Sequence, residues 1–157
     1  MSGIVPMTLK GAEDLKAEVK RLINNRAKIS EAIAEAAAHG DLKENAEYHA
    51  ARNEQGIAEA RVRSIQSKLS HAEIVDTERI KSAKVVFGAK VTIVDEDTEE
   101  EKFYHIVGED EADIALGKIS VTSPLARALI GKKVGDSALM KAPGGDRDYE
   151  ILSLHYK

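Results

Sequence analysis

The sequence predicts an α+β protein: an N-terminal antiparallel helical hairpin, paired as a coiled coil, followed by a small mostly-β domain with one short helix. Three observations predict it. The first half carries apolar residues at alternating steps of three and four, the seam of paired helices. The second half carries short β-branched and aromatic runs separated by turn residues. The change of period is abrupt, with no low-complexity linker and no internal repeat. The expected boundaries are residues 1–78 for the coiled coil, with its tip at residues 39–48, and residues 79–157 for the β domain.

The first arm shows its seam at Ala12, Leu15, Val19, Leu22, Ile29, Ile33 and Ala36, broken by Arg26. Lys16, Lys20, Arg21, Lys28, Glu31 and Glu35 lie between, as a solvated face. At His39-Gly40-Asp41 the glycine suits the left-handed position that ends a helix. A second seam follows at Tyr48, Ala51, Ala58, Val62, Ile65, Leu69 and Ala72, with Gln55 on it and Ile57 off it. So short a connection folds the helices back on each other. At 1.5 Å per residue each arm runs roughly 40 Å, longer than a small globular domain needs. Such a rod is a reaching device or a dimerisation arm.

Past Ile80 the strand-like runs are Val85–Phe87, Val91–Val94, Phe103–Val107, Ile119–Val121, Ser137–Lys141 and Tyr149–Tyr156. Turn material separates them: the acidic run Asp95–Glu101, Gly108, and Pro143-Gly144-Gly145-Asp146. Ser123 to Gly131 reads as one short helix, with Ser123 as N-cap, Pro124 as first residue and Gly131 at its end.

Composition narrows the function classes. The 157 residues are 32% charged and 43% hydrophobic, normal for a folded soluble protein. There is no cysteine, so disulfides and thiolate-ligated zinc are excluded, in keeping with a reducing cytoplasm. No stretch approaches the ~20 apolar residues of a membrane span, and no signal-peptide pattern opens the chain. Residues 1–82 hold 13 Lys/Arg and 13 Asp/Glu, and residues 83–157 hold 10 and 14. A free-standing duplex binder carries a basic surplus, because counterion release drives its affinity. Neither half has one, so any nucleic acid involved is held by another macromolecule. Absence of Trp and only 4% aromatic residues also argue against a base-stacking platform.

The residues of greatest chemical interest sit where the hairpin turns, from His39 to Tyr48. Asp41 and Glu44 stand three apart, a spacing that puts both on one side of a helix's first turn. Two hard oxygen donors so placed suit Mg²⁺, which takes one or two carboxylates and keeps several waters. The same spacing equally describes a capping box, in which Asp41 caps the amide of Glu44 and Glu44 reaches back. Spacing alone favours the cap. Two exposed carboxylates would hold Mg²⁺ only weakly. His39 and His49 fit no zinc spacing and read as exposed histidines. The Asp95–Glu101 run lacks an EF-hand's central glycine and reads as a solvated hairpin loop. Pro143-Gly144-Gly145 lacks the Lys-Ser/Thr and helix of a phosphate loop. Lys43, Arg52, Arg61 and Arg63 form at most a weak basic strip.

Three separated motifs carry a resemblance. Pro6-Met7-Thr8-Leu9-Lys10-Gly11, Gly40-Asp41-Leu42-Lys43-Glu44-Asn45-Ala46-Glu47-Tyr48, and Ser120 to Gly131 running on to Gly135-Asp136 occur in order along nearly the whole chain. Together they closely resemble the signatures of the bacterial transcript cleavage (Gre) elongation factors, of the GreA type. The resemblance implies a coiled coil that enters the secondary channel of bacterial RNA polymerase and an FKBP-like β domain that docks at the channel rim. It implies that Asp41 and Glu44 are the tip carboxylates. They would help hold a Mg²⁺ shared with the polymerase active site and promote hydrolysis of backtracked nascent RNA near its 3′ end. The protein would then be an accessory factor, not an enzyme, that activates the polymerase's own RNA hydrolysis. It would be cytoplasmic and monomeric, with no membrane partner. Lys43, Asn45, Tyr48 and Arg52 are candidates for positioning the tip or the RNA, and Ser123 and Pro124 for polymerase docking. Relatives often carry a basic residue just before the tip, where this chain has Ala36-Ala37-Ala38, which implies a weak grip on extruded RNA. Rival readings are a channel occupant without cleavage activity, a prolyl isomerase, which would need an aromatic-lined pocket, and a coiled-coil adaptor.

Overall fold

A computed structural model of the chain describes residues 4–156. The chain divides into two compact units, one of residues Ala12–His71 and the other of the segments up to Gly11 and from Ala72 onward. This division differs from a boundary near residue 78. Strand β1 (Val5–Thr8) pairs in parallel with β2 (Ala72–Val75), in the register Val5 to Ala72 and Thr8 to Val75. The segment before the hairpin and the one after it are therefore neighbours in a two-stranded sheet. Ala72, expected at the end of the second seam, instead opens β2.

The hairpin unit follows the seam residue by residue. Ala12, Ile29, Ala36, Ala51, Val62 and Ile65 are buried, and the other apolar seam residues are half-buried. Ile57 stands 63% exposed, off the seam as its register requires. The second arm is one helix, α3 (Ala46–Ser70), whose 25 residues span about 37 Å. The first arm is interrupted, contrary to the continuous rod that the heptads predict: α1 (Leu9–Asn24) gives way at Asn25 to α2 (Arg26–Ala37). Asn24-Asn25 combines two weak helix formers whose side chains compete for backbone groups. The interruption falls beside Arg26, the one seam position occupied by a charge. Arg26 lays its guanidinium fork on Glu59, with Nε and Nη2 donating at 2.7 and 2.9 Å. Farther from the turn, Arg61 does the same to Glu18 at 2.6 and 2.9 Å. The Arg61 pair draws the Glu18 carboxyl below its ordinary range, chiefly through that side-chain hydrogen bond. Both bridges join facing arms in antiparallel register. Arg61 thus belongs to the arm-to-arm contact and not to a free basic strip.

The β unit is built on a five-stranded sheet. Its strands are β3 (Lys90–Asp95), β4 (Glu101–Val107), β5 (Lys118–Ser120), β6 (Ser137–Met140) and β7 (Arg147–His155), in the spatial order β5-β4-β3-β7-β6. All neighbours are antiparallel except β4 and β5. Alternation decides which side chains go inward: Val91, Ile93, Ile106, Ile119, Ala138 and Ile151 are buried. Helix α4 (Pro124–Leu129) closes that face with Ala126 and Leu129. Its ends match the sequence expectation, with Ser123 Oγ accepting from the Ala126 amide at 3.2 Å and Gly131 at φ +89°.

Val85–Phe87, expected as a strand, is instead a connecting segment in which Val85 is buried and Val86 and Phe87 are half-buried. Its polar groups are met one by one: the Val85 amide donates to Lys132 O at 2.8 Å and the Val86 amide to Tyr156 Oη at 3.1 Å. Tyr156 Oη in turn donates to Lys84 O at 2.6 Å, and burial raises its pKa. The acidic run is the β3–β4 turn, as expected. The buried Asp95 carboxylate organises it by accepting from the amides of Asp97 and Thr98 and from Arg147. The backbone bonds first, and Arg147 after them, hold Asp95 below the usual carboxylate range.

His105 on β4 lies between Lys90 and Lys118 on the neighbouring strands, and its Nε2 is buried without a hydrogen-bond partner. Burial, then the two lysines, depress its pKa below 6.5. The folded state thus prefers neutral His105, while the unfolded chain protonates as pH falls through about 6.5. Stability of the β unit is fully present above that pH and declines as pH falls toward the depressed folded value. A series of urea midpoints from pH 7.5 to 5 should fall more steeply for the wild type than for His105→Gln; parallel curves would refute the assignment.

Among the described residues no helix is long and apolar enough to cross a membrane.

Candidate functional site at the hairpin tip

Helix α2 ends with its last amides satisfied, as Ala38 N donates to Ala34 O and His39 N to Ala36 O. Gly40 then takes φ +130°, a conformation that L side chains rarely adopt, and turns the chain across the end of the hairpin. Residues Asp41 to Glu44 form an exposed turn that precedes the next helix. This overturns the expected placement of Asp41 and Glu44 in a helical first turn, and no capping box joins them. Helix α3 begins at Ala46, and its N-cap is Asn45, whose Oδ1 accepts from the Tyr48 amide at 3.0 Å. The Asp41 carboxylate accepts instead from the Lys43 amide at 3.0 Å, a local turn two residues long.

Asn45 does a second job. Its Nδ2 donates to the carbonyl of Ala36 on the opposite arm, so one side chain both starts α3 and fastens it to the end of α2. A buried Ala36 beneath it permits this close approach of the arms. An Asn45→Ala variant should lose about 1–2 kcal/mol, the cost of an N-cap together with one tertiary hydrogen bond. Urea denaturation followed by helical circular dichroism checks the figure, and an unchanged midpoint would contradict it.

The structure brings Asp41 and Glu44 to one shallow open concavity, lined also by His39, Asn45, Ala46 and Glu47. Both carboxylates are exposed. Among the described residues Glu44 has no intramolecular partner for its carboxylate, and no group of three or more His, Asp or Glu could by itself hold a metal ion. The donor set is nonetheless of the right chemistry for a hard cation: carboxylate oxygens, solvent access, and room for ligands from elsewhere. Its oxygen donors fit a part, not the whole, of a Mg²⁺ coordination sphere.

The remaining expected residues fall into different settings. Lys43 and Arg52 are exposed, Lys43 within the turn and Arg52 on α3. Tyr48 is half-buried on the seam, its ring edge-on to His49 at 5.6 Å and 66°. Ser123 and Pro124 lie in the β unit, where Ser123 caps α4 and Pro124 is exposed as its first residue. Sequence reasoning missed His49 as a bonded residue: its Nε2 lies 3.1 Å from the carbonyl oxygen of Lys43. The available signal was its place one turn inside a helix that follows a tight turn.

Comparison with known proteins places both units. The family model for the N-terminal part of a transcription elongation factor matches residues 5–74, and the model for the C-terminal part of the GreA/GreB transcription elongation factors matches residues 80–156. The transcription elongation factor GreA of Magnetococcus marinus is 54% identical over 157 residues, covering 99% of this chain and 100% of the relative. That of Vibrio parahaemolyticus is 57% identical over 153 residues, covering 97% and 98%. Among solved structures, the GreA factor homolog 1 (Gfh1) of Thermus thermophilus aligns with a TM-score of 0.43 and 27% identity over 96% of this chain and 98% of its own. Matched nearly end to end at better than half identity, the chain belongs to the GreA/GreB family of transcription elongation factors.

Proposed function

We propose that this factor carries its hairpin tip into the secondary channel of bacterial RNA polymerase and stimulates Mg²⁺-dependent cleavage of backtracked nascent RNA. The observation that carries the reading is the exposed Asp41–Glu44 pair in one concavity at the turn of the hairpin. A pocket enzyme buries its catalytic groups. Here two carboxylates without a third ligand stand at the end of long helices, an arrangement suited to delivery into a site that another macromolecule completes.

In that complex Asp41 and Glu44 would hold Mg²⁺ together with the polymerase's own carboxylates. The bound ion would lower the pKa of a water and stabilise charge on the phosphodiester oxygens. Asp41, anchored to the Lys43 amide, presents its carboxylate with limited freedom, while Glu44 can swing to meet a ligand. Lys43, in the turn, and Arg52, on α3, would neutralise RNA phosphates, while Asn45 fastens the turn to the end of α2 and Tyr48 packs on the seam behind it. Ser123 and Pro124 would contribute to docking at the channel rim. A monomer suffices for this role, since the two arms of the coiled coil pair within one chain.

A backtracked elongation complex with end-labelled RNA tests the proposal. Addition of the protein with Mg²⁺ should shorten the RNA and restore an extendable 3′ end. Binding with the RNA left intact would make the protein a channel occupant.

A further inference from the structure

Resting on that cleavage reading, we propose that His49 is a positioning residue for the tip, its imidazole tying the turn between Asp41 and Glu44 to the first turns of α3.

The contact is between His49 Nε2 and Lys43 O, 3.1 Å apart. A carbonyl oxygen can only accept, so Nε2 carries the proton whether the ring is neutral or charged. Lys43 is thereby held on both sides, its amide by Asp41 Oδ1 at 3.0 Å and its carbonyl by His49. The turn has few other restraints. All four residues from Asp41 to Glu44 are exposed and lie outside the helical ladder.

His49 itself is well anchored. Its own amide donates to Asn45 O at 3.1 Å, which sets its backbone in the first turn of α3. Tyr48, half-buried on the seam, stands edge-on against its ring at 5.6 Å. Order is thus passed from the packed seam through Tyr48 and His49 to Lys43, and from there to the two carboxylates beside it. Exposed carboxylates have no pocket walls to orient them, and a misplacement of about 1 Å costs on the order of 100-fold in rate. With Asn45 and the Asp41 turn still in place, loss of the His49 bond should cost about 10-fold of that.

The test compares wild type, His49→Ala and His49→Gln, whose amide can donate to the same carbonyl. Cleavage is followed in backtracked complexes over a range of factor concentrations. In parallel, ¹⁵N spectra of the free proteins report the imidazole protonation site and the backbone order of residues 42–44. The expected result is a maximal rate lowered about 10-fold in His49→Ala at unchanged half-saturating concentration, with most of it recovered in His49→Gln. The free wild type should show a protonated Nε2, and His49→Ala a loosened turn. A wild-type maximal rate in His49→Ala, or an equal loss in both variants, would overturn the proposal. So would an unprotonated Nε2, or a turn equally ordered in all three proteins. Should the wild type itself fail to cleave, the cleavage reading falls separately; the spectra then still decide whether His49 orders the turn.

Discussion

Asp41→Ala and Glu44→Ala should each lower the rate of RNA cleavage in backtracked complexes by about 100-fold or more, while leaving the fold nearly untouched. Removing one ligand from a shared metal site forfeits several kcal/mol of charge stabilisation in the transition state, and 2.7 kcal/mol is about a 100-fold change in rate. The expectation of an intact fold comes from the structure. Had the pair formed a capping box, each substitution would also cost about 1 kcal/mol of stability. The cap is Asn45, however, and Glu44 lies outside the helix, so Glu44→Ala should stay within about 0.5 kcal/mol of wild type. Asp41→Ala gives up one exposed turn bond, worth roughly 0.5–1 kcal/mol. Single-turnover cleavage at saturating factor, with denaturation curves on the same preparations, separates the two readings. Variants that cleave normally would remove the carboxylates from the mechanism. Variants that fail because they unfold would return the pair to a structural role.

The second large effect is on stability and lies far along the sequence from the tip. Glu111→Ala should destabilise the β unit by about 2–4 kcal/mol, because it strands several donors at once. One carboxylate oxygen of Glu111 accepts from the amides of Thr8 and Gly108, each at 3.0 Å, and the other accepts from the Thr8 hydroxyl. That hydroxyl in turn accepts from the Gly11 amide at 3.0 Å. A single acidic side chain therefore fastens β1 and the start of α1 to the 3₁₀ turn Glu109–Glu111. Glu111→Gln should lose less, since its carboxamide keeps one accepting oxygen. Gly11→Ala should reproduce part of the loss from the other side, because an added Cβ would lie 2.3 Å from Glu111 Oε1 and push it away. Hydrogen exchange of the Ile93 and Ile151 amides, at the centre of the sheet, reads the stability of this unit without interference from the hairpin. Protection equal to wild type in Glu111→Ala would refute the clamp.

Glu111 also shows where sequence reasoning stops. In the sequence it is one of three successive acidic residues, Glu109-Asp110-Glu111, and nothing local separates it from its neighbours. Besides the nearby Gly108 amide, its partner is Thr8, 103 positions away. The pairing of β1 with β2 was hidden for the same reason. Four residues with a proline carry little strand signal, and the partner strand follows a long helix, so that the pairing exists only once the hairpin has brought its ends together.

Local periodicity, by contrast, was sufficient wherever a face must be buried. The spacing of apolar residues placed both seams, including the exposure of Ile57, because only one register hides them all. Alternation and turn residues placed five of the six expected strands, and Ser123, Pro124 and Gly131 placed both ends of α4, because caps and turns are set by neighbours in the chain. The missed strand, Val85–Phe87, has strand composition but satisfies its amides through Lys132 and Tyr156, which composition cannot reveal.

By itself, then, the sequence determined the two architectures, the placement of two carboxylates at the hairpin turn, and the resemblance that named their family. Tertiary structure alone decided that Asn45 and not Asp41 starts α3, that His49 holds Lys43, and that Glu111 closes the base of the β unit. The physical reason is common to all three. Each depends on which of several competent polar groups is nearest a given amide or carbonyl, and that distance is set by how the chain packs and not by spacing along it.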